Sequence, residues 1–210
     1  SRLEIDLAGE PIGKQDQYAA AFGGFNVIQF NPDGTVNVLP VALDFKTQFL
    51  LEDHMIVFFT GVTRAASSVL TEQNSNVASK IEIISRMADS VFDFRDNLLS
   101  GDMRRLGEML YDGCLMKKKL ASNVSNLTID ALYDAGMCAG GWGGKVLGAG
   151  GGGCIAFITP DKTVTRERIM EFAKKSGLVG IREIPIHFVR DGASVLFNDG
   201  KNLERRLGRG

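Results

Sequence analysis

Gly148-Ala149-Gly150-Gly151-Gly152-Gly153 places five glycines in six residues between two strand-like runs, Lys145 to Leu147 and Cys154 to Thr159. Glycine costs backbone entropy on folding, and a plain turn needs only one or two. A tract this dense leaves bare backbone whose N–H groups can approach phosphate oxygens or another loop. The spacing matches neither the P-loop nor the dinucleotide fingerprint, because no Gly-Lys-Ser ending is present and no helix follows directly. The tract reads as an anion-facing loop of another kind, with a wide bulged hairpin as the structural alternative.

The rest of the chain supplies strands and helices in mixed order. Arg2 to Leu7 alternates as if an element were already under way, and Gly9-Glu10-Pro11-Ile12-Gly13 is a turn. Asp16 to Phe22 reads as a short helix stopped by Gly23-Gly24. Phe25–Phe30 and Thr35–Leu43 read as a hairpin about Asn31-Pro32-Asp33-Gly34. Met55 to Phe59, within Gln48 to Thr60, fits a buried strand. A helix is expected from Ala65 to Arg95, broken around Asn74 to Asn76, with Ile81, Ile84, Ala88 and Val91 on one face. Another runs from Met103 to about Ser122 with Met103, Leu106, Leu110 and Cys114 on one stripe. A third starts at Thr128, taken as N-cap, and ends near Cys138. Arg166 to Lys175 reads as a helix, and Ile184–Val189 and Ser194–Phe197 as closing strands. The polar, basic tail Lys201 to Gly210 is expected to fray. Strand pairs and helices in this order fit an α+β layered domain.

Composition narrows the function classes. Lys and Arg total 24 against 25 Asp and Glu, so no broad cationic field invites nucleic acid. Cys114, Cys138 and Cys154 are odd in number, widely spaced and without CxxC, which argues against a disulfide framework and a structural zinc. His54 and His187 sit in strand-like runs and read as ordinary strand residues. No membrane span or signal peptide is visible, so the expected location is cytoplasmic.

Three further features could carry chemistry. Gly13-Lys14-Gln15-Asp16-Gln17-Tyr18 sets an acid beside two amides and a lysine at a helix start, where the helix dipole favours a carboxylate. Such a carboxylate can take the proton of a sugar hydroxyl as its oxygen attacks a γ-phosphate, with Gln15 and Gln17 bonding hydroxyls. The alternative is a plain helix cap with solvated glutamines. Arg64, in Thr60-Gly61-Val62-Thr63-Arg64, is either an anion contact near a helix start or a surface arginine. Lys117 extends the stripe of Cys114, so it either snorkels outward or points into a cleft.

Gly13-Lys14-Gln15-Asp16-Gln17-Tyr18-Ala19-Ala20-Ala21-Phe22-Gly23-Gly24 resembles the catalytic-aspartate segment of the GHMP kinases, and Lys145-Val146-Leu147 leading into the glycine tract and Cys154 resembles their third motif. The Lys-Gln-Asp-Gln-Tyr form is most like the branch of bacterial sugar 1-kinases that act on heptose 7-phosphate. Thr60-Gly61 with Arg64 and the lysines of Leu115 to Leu120 also fit that branch. The resemblance implies the C-terminal part of a GHMP kinase fold. Residues 1–45 would be a remnant of the N-terminal domain, 46–200 a ferredoxin-like layered C-terminal domain, and 201–210 a flexible tail.

It further implies ATP- and Mg2+-dependent phosphorylation of the anomeric hydroxyl of heptose 7-phosphate, toward surface-polysaccharide precursors. Fucose or galactose is the alternative acceptor, and a non-catalytic metabolite-binding protein the alternative class. Asp16 would be the base. Lys14, Gln15, Gln17 and Tyr18 would line the sugar pocket, with Arg64 and Lys117 toward the substrate's own phosphate. Gly148, Ala149, Gly150, Gly151, Gly152 and Gly153 would border the nucleotide. The family's first motif and its Pro-x-x-x-Gly-Leu-Gly-Ser-Ser nucleotide loop, where the magnesium ligands are also expected, lie upstream of the aspartate in relatives and are absent here. A chain lacking that cradle is expected to turn over negligibly alone, and an open sheet edge would pair it with a second copy or with the N-terminal part.

Overall fold

The computed structural model describes residues 13–63 and 66–194. The expectations for Arg2 to Leu7, Gly9 to Ile12, Arg64, residues 195–197 and the tail lie outside the described residues.

The chain opens with helix α1 (Gln15–Phe22), a hairpin of β1 (Asn26–Phe30) and β2 (Val36–Pro40), and helix α2 (Phe45–His54). Then come β3 (Met55–Thr60), α3 (Ala66–Ser100), α4 (Met103–Lys118) and α5 (Leu127–Cys138). The glycine tract lies between β4 (Gly143–Val146) and β5 (Cys154–Ile158), and α6 (Lys162–Lys175) leads to β6 (Ile181–Ile184). β1 and β2 form their own two-stranded sheet, with Asn26 opposite Pro40 and Phe30 opposite Val36. The other strands form one antiparallel sheet in the order β4-β5-β3-β6.

β3 and β5 are the interior strands, and their sequences, MIVFFT and CIAFI, are apolar on both faces. Alternation along β5 sends Ile155 and Phe157 one way and Ile158 the other. Phe157, Ile155, Ile56 and Phe58 pack with Ile129, Leu132 and Tyr133 of α5 and Ile169 of α6. Ile158 packs instead with Leu51 of α2, Leu98 of α3, and Met103 and Leu106 of α4. The sheet is therefore covered on both sides. Phe58 and Phe157 are almost wholly buried, and truncating either to alanine would cost about 3–5 kcal/mol.

α4 meets the β4 edge unusually closely. A methyl group on Gly107 would lie 2.6 Å from Trp142 Cβ, and one on Gly143 would collide with the Gly107 carbonyl oxygen. Small residues on both partners let helix backbone rest on strand backbone.

Several sequence expectations need correction. α3 runs unbroken through 74–76. Asn and Ser disfavour helices by bonding backbone elsewhere, but here Ser75 Oγ bonds Glu72 O within the helix and Asn76 Nδ2 reaches Leu120 O at 3.0 Å. Ile81 and Val91 face outward, at 61% and 40% exposure, and Phe94 and Leu98 make the packed face instead. The cap of α5 is Asn126 rather than Thr128, with Asn126 Oδ1 accepting from Ile129 N–H at 3.0 Å. α4 ends at Lys118 rather than near Ser122. β6 covers 181–184, not Ile184–Val189, and Pro185, which lacks an N–H, follows its last residue. His54 is the last residue of α2 and stacks on Trp142, while His187 lies beyond β6 near Glu52. Neither is a strand residue. Among the described residues, no helix is long and apolar enough to cross a membrane.

Candidate active site

α1 carries Asp16, and its far end is stapled to the segment after β6. Gly24 N–H bonds Val189 O at 3.1 Å, and Ala193 N–H bonds Ala20 O at 3.0 Å. Gly23 and Gly24 both take positive φ there, and a side chain on Gly23 would strike the 191–192 backbone. On the opposite side Tyr18 stacks on Phe22 at 6.1 Å and meets Phe30 of β1 edge-on at 5.9 Å. α1 buries no residue, so these end contacts and this ring cluster hold it.

Lys14 occupies the N-cap without a side-chain capping bond, and Asp16 stands in the first turn. Asp16 therefore stands inside the first turn rather than at the cap. Its carboxylate is exposed and sits at the positive end of the helix. Lys14 and Gln15 are exposed, and Gln17 and Tyr18 half-buried.

Lys117 reaches the same place from α4. It is half-buried, and its ammonium donates to the Gly148 carbonyl oxygen at the front of the glycine tract. Burial first, and then the neighbouring charge of Lys145 on β4, lower its pKa to about 8, with Cys114 and Asp16 pulling the other way. Asp16 is thus the carboxylate whose charge acts on Lys117. Lys117 and Gly148, far apart in sequence, are joined directly, and the charges of Asp16 and Lys145 act on that lysine.

The glycine tract has two unlike halves. Gly148 is exposed, with φ of 65° and nothing within 4 Å of where a Cβ would sit. Gly150, with φ of 102°, presses on Val124, whose carbonyl oxygen would be 2.6 Å from an added Cβ. Gly151 N–H donates to Val124 O at 2.8 Å, and Asn126 Nδ2 donates to Gly151 O at 3.1 Å. Gly153 N–H bonds Val62 O at 2.8 Å, and Thr60 donates both N–H and hydroxyl to Gly153 O at 2.9 Å. Gly151 and Gly152 are buried, and Ala149 packs against Val69, Ala121 and Val124. Thr60 and Val62 thus serve the loop, whereas Arg64 lies outside the described residues.

Lys145 is the residue that sequence reasoning passed over. Gly143, Gly144 and Val146 around it are buried. Its side chain lines a groove of about 290 Å3 between α3 and α4, walled by Met87, Val91, Phe94, Met109, Leu110 and Met116. A lone cation within a buried strand, three residues ahead of the glycine tract, was the available signal.

Residues 94–177 match the family model described as GHMP kinases C terminal. The chain is 29% identical over 180 residues to the D-glycero-alpha-D-manno-heptose 7-phosphate kinase of Campylobacter jejuni, covering 85% of this chain and 52% of that protein. It is 25% identical to the galactokinase of Thermococcus kodakarensis, over 77% of this chain and 52% of that one. A solved D-glycero-D-manno-heptose 1-phosphate kinase from Bacteroides thetaiotaomicron superposes with a TM-score of 0.61 at 27% identity, covering 93% of this chain and 53% of that one. The galactose complex of Lactococcus lactis galactokinase gives 0.68 at 18% identity, covering 93% and 59%, and shows the fold alone. The chain spans about half the length of the curated relatives it matches. Residues 94–177 are a GHMP kinase C-terminal domain, set in a chain that has the fold of the GHMP kinases.

Proposed function

We propose that this chain is the base-bearing part of an ATP-dependent sugar kinase, with a heptose 7-phosphate as acceptor and its anomeric hydroxyl as the attacking group. The observation that carries this is the bond of Lys117 to the front of the glycine tract, with the charge of Asp16 acting on that lysine. An exposed carboxylate whose charge acts on a lysine at a stretch of bare backbone suits phosphoryl transfer to a hydroxyl. Residues 1–45 belong in this reading to the N-terminal domain, 46–200 to the C-terminal domain, and 201–210 to a tail.

The acceptor O–H gives its proton to the Asp16 carboxylate while its oxygen forms a bond to the γ-phosphorus. The bond from that phosphorus to the β-phosphate oxygen breaks, and ADP leaves with the electron pair. Lys14, Gln15 and Gln17 flank Asp16 toward the acceptor, and Tyr18, packed on Phe22 and Phe30, holds α1 in place. Gly148 offers open backbone that an added Cβ would obstruct, which suits the end of a triphosphate. ATP supplies the phosphoryl group. Among the described residues no three His, Cys, Asp or Glu cluster, and the Mg2+ expected with ATP is ascribed to ligands upstream of Asp16. No step is assigned to it.

The acceptor is inferred from the heptose kinases among the relatives, whose names place the phosphate at different carbons. The test is mass spectrometry of products formed from Mg-ATP and a panel of sugars and sugar phosphates by the protein expressed from its complete reading frame. A heptose 1,7-bisphosphate that disappears in Asp16→Asn is the expected result. Product from galactose or fucose alone would move the acceptor. ATP binding without transfer to any acceptor would sink the kinase assignment in favour of a metabolite-binding protein.

A further inference from the structure

Beyond β6 the chain leaves the sheet, and side chains take over the bonding of its backbone. The Phe188 N–H donates to Glu52 Oε1 at 2.9 Å, and the Phe188 carbonyl oxygen accepts from Gln48 Nε2 at 2.9 Å. Both partners come from α2, four residues apart on one face, so together they stand in for a neighbouring strand at that residue. Gln48 Nε2 also reaches Glu52 Oε1 at 3.4 Å. The bond from Phe188 holds the Glu52 carboxyl below its ordinary range, so the acceptor is a charged one. The Phe188 ring lies 5.0 Å from that of Phe25 and packs with Leu43, Leu51 and Leu98. Arg190 adds a bond to Leu43 O at 3.0 Å. This end of the segment is thereby fixed to α2, and through Leu51 and Ile158 to the four-stranded sheet.

The residues that follow hold α1. Val189 O accepts from Gly24 N–H at 3.1 Å, and Ala193 N–H donates to Ala20 O at 3.0 Å. Gly192 lies so close that an added Cβ would be 2.2 Å from Ala21 O. Residues 188–193 therefore run as a strap from α2 to α1, a helix with no buried residue of its own. Asp16 lies one turn before Ala20 on the same face, so a helix that shifts at Ala20 carries Asp16 with it. Resting on the reading of Asp16 as the base, we propose that this strap sets the position of α1, and that Gln48 and Glu52, by gripping Phe188, are positioning residues for Asp16. They act through the strap and touch neither acceptor nor nucleotide.

The experiment uses the protein from its complete reading frame. Glu52→Ala should lower kcat about tenfold while KM for Mg-ATP stays within about twofold, because the base is misplaced and the nucleotide side is left as it was. Glu52→Gln keeps an oxygen for the Phe188 N–H and should recover most of that rate. Hydrogen exchange read by mass spectrometry should show residues 14–24 exchanging about tenfold faster in Glu52→Ala, with β3 and β5 unchanged. Unchanged exchange in 14–24 would overturn the proposal, and so would faster exchange with kcat unaltered. Should Glu52→Ala lose its fold, Arg190→Met, at an exposed side chain, puts the same question to the strap and is read by the same two outcomes.

The exchange measurement does not depend on turnover. If the wild-type protein transfers phosphate to no acceptor, the kinase reading fails by itself. Faster exchange of 14–24 in Glu52→Ala would then still establish the strap as what holds α1, and unchanged exchange would still remove it.

Discussion

The two halves of the glycine tract are made of the same residue and do opposite things. Its front, at Gly148, is exposed and touched by the Lys117 ammonium. Its back, Gly150 to Gly153, is locked by hydrogen bonds to Val124, Asn126, Thr60 and Val62. At the front, nothing lies within 4 Å of where a Gly148 side chain would begin. At the back, Gly150 lets the tract press on Val124, where an added Cβ would strike the Val124 carbonyl oxygen. A run of glycines is therefore better judged residue by residue than as one binding loop.

Substitutions on the two sides should separate turnover from stability. The largest effect belongs to the front: Asp16→Asn should lower kcat by about 100- to 10,000-fold, with unchanged melting temperature because the side chain is exposed. A melting point that fell with activity would break the division. Next is the back: Gly150→Val should cost about 2–3 kcal/mol in urea denaturation, from the positive φ and the contact with Val124 O. Gly151→Val should behave alike, so that its weaker nucleotide binding follows from a displaced loop. Full stability in both would show the back to be less tightly fixed than its hydrogen bonds imply.

The third prediction concerns pH. Lys117 titrates lower in the folded protein, at about 8, than its ordinary 10.5. The cost of holding it charged is complete below about 8, shrinks as pH rises toward 10.5, and vanishes above. Its contribution to stability thus rises with pH across that window, and Lys117→Met should flatten the rise. Its charge is lost over the same range, so kcat/KM should fall tenfold per unit above about pH 8, and Lys117→Arg should abolish that limb. Gly148→Ala should cost about 1–2 kcal/mol from its left-handed backbone alone, with weaker nucleotide binding measured by calorimetry. Smallest is Asn126→Ala, at about 1 kcal/mol on melting, for loss of the α5 cap together with its bond to Gly151 O.

Much of the architecture was legible because it rests on short-range patterns. The MIVFF run, the Asn-Pro-Asp-Gly turn and the stripe of Met103, Leu106 and Cys114 all lie where alternation and helical spacing put them. α2 went unrecognised, since its apolar residues do not fall on one face. Its start was written only in Asp44, whose carboxylate accepts from Thr47 N–H at 2.6 Å. Outward-facing Ile81 was misjudged because helical spacing reports that a stripe exists, not which stripe finds a partner. Within the site, Asp16 and the glycine tract stood out as motifs. Lys145 did not, because its charge acts on Lys117 of another element, and no local pattern contains that.

The contact of Gly107 with Gly143 acts as a fulcrum. Lys117 lies ten residues further along α4, about 15 Å down a rigid rod. A tilt of about 4° at that contact would carry the ammonium roughly 1 Å, a displacement that can cost a phosphotransferase about 100-fold in rate. A single methyl group at Gly107 would therefore act through leverage: the helix would remain folded and the sheet intact, with the lysine out of alignment at its far end.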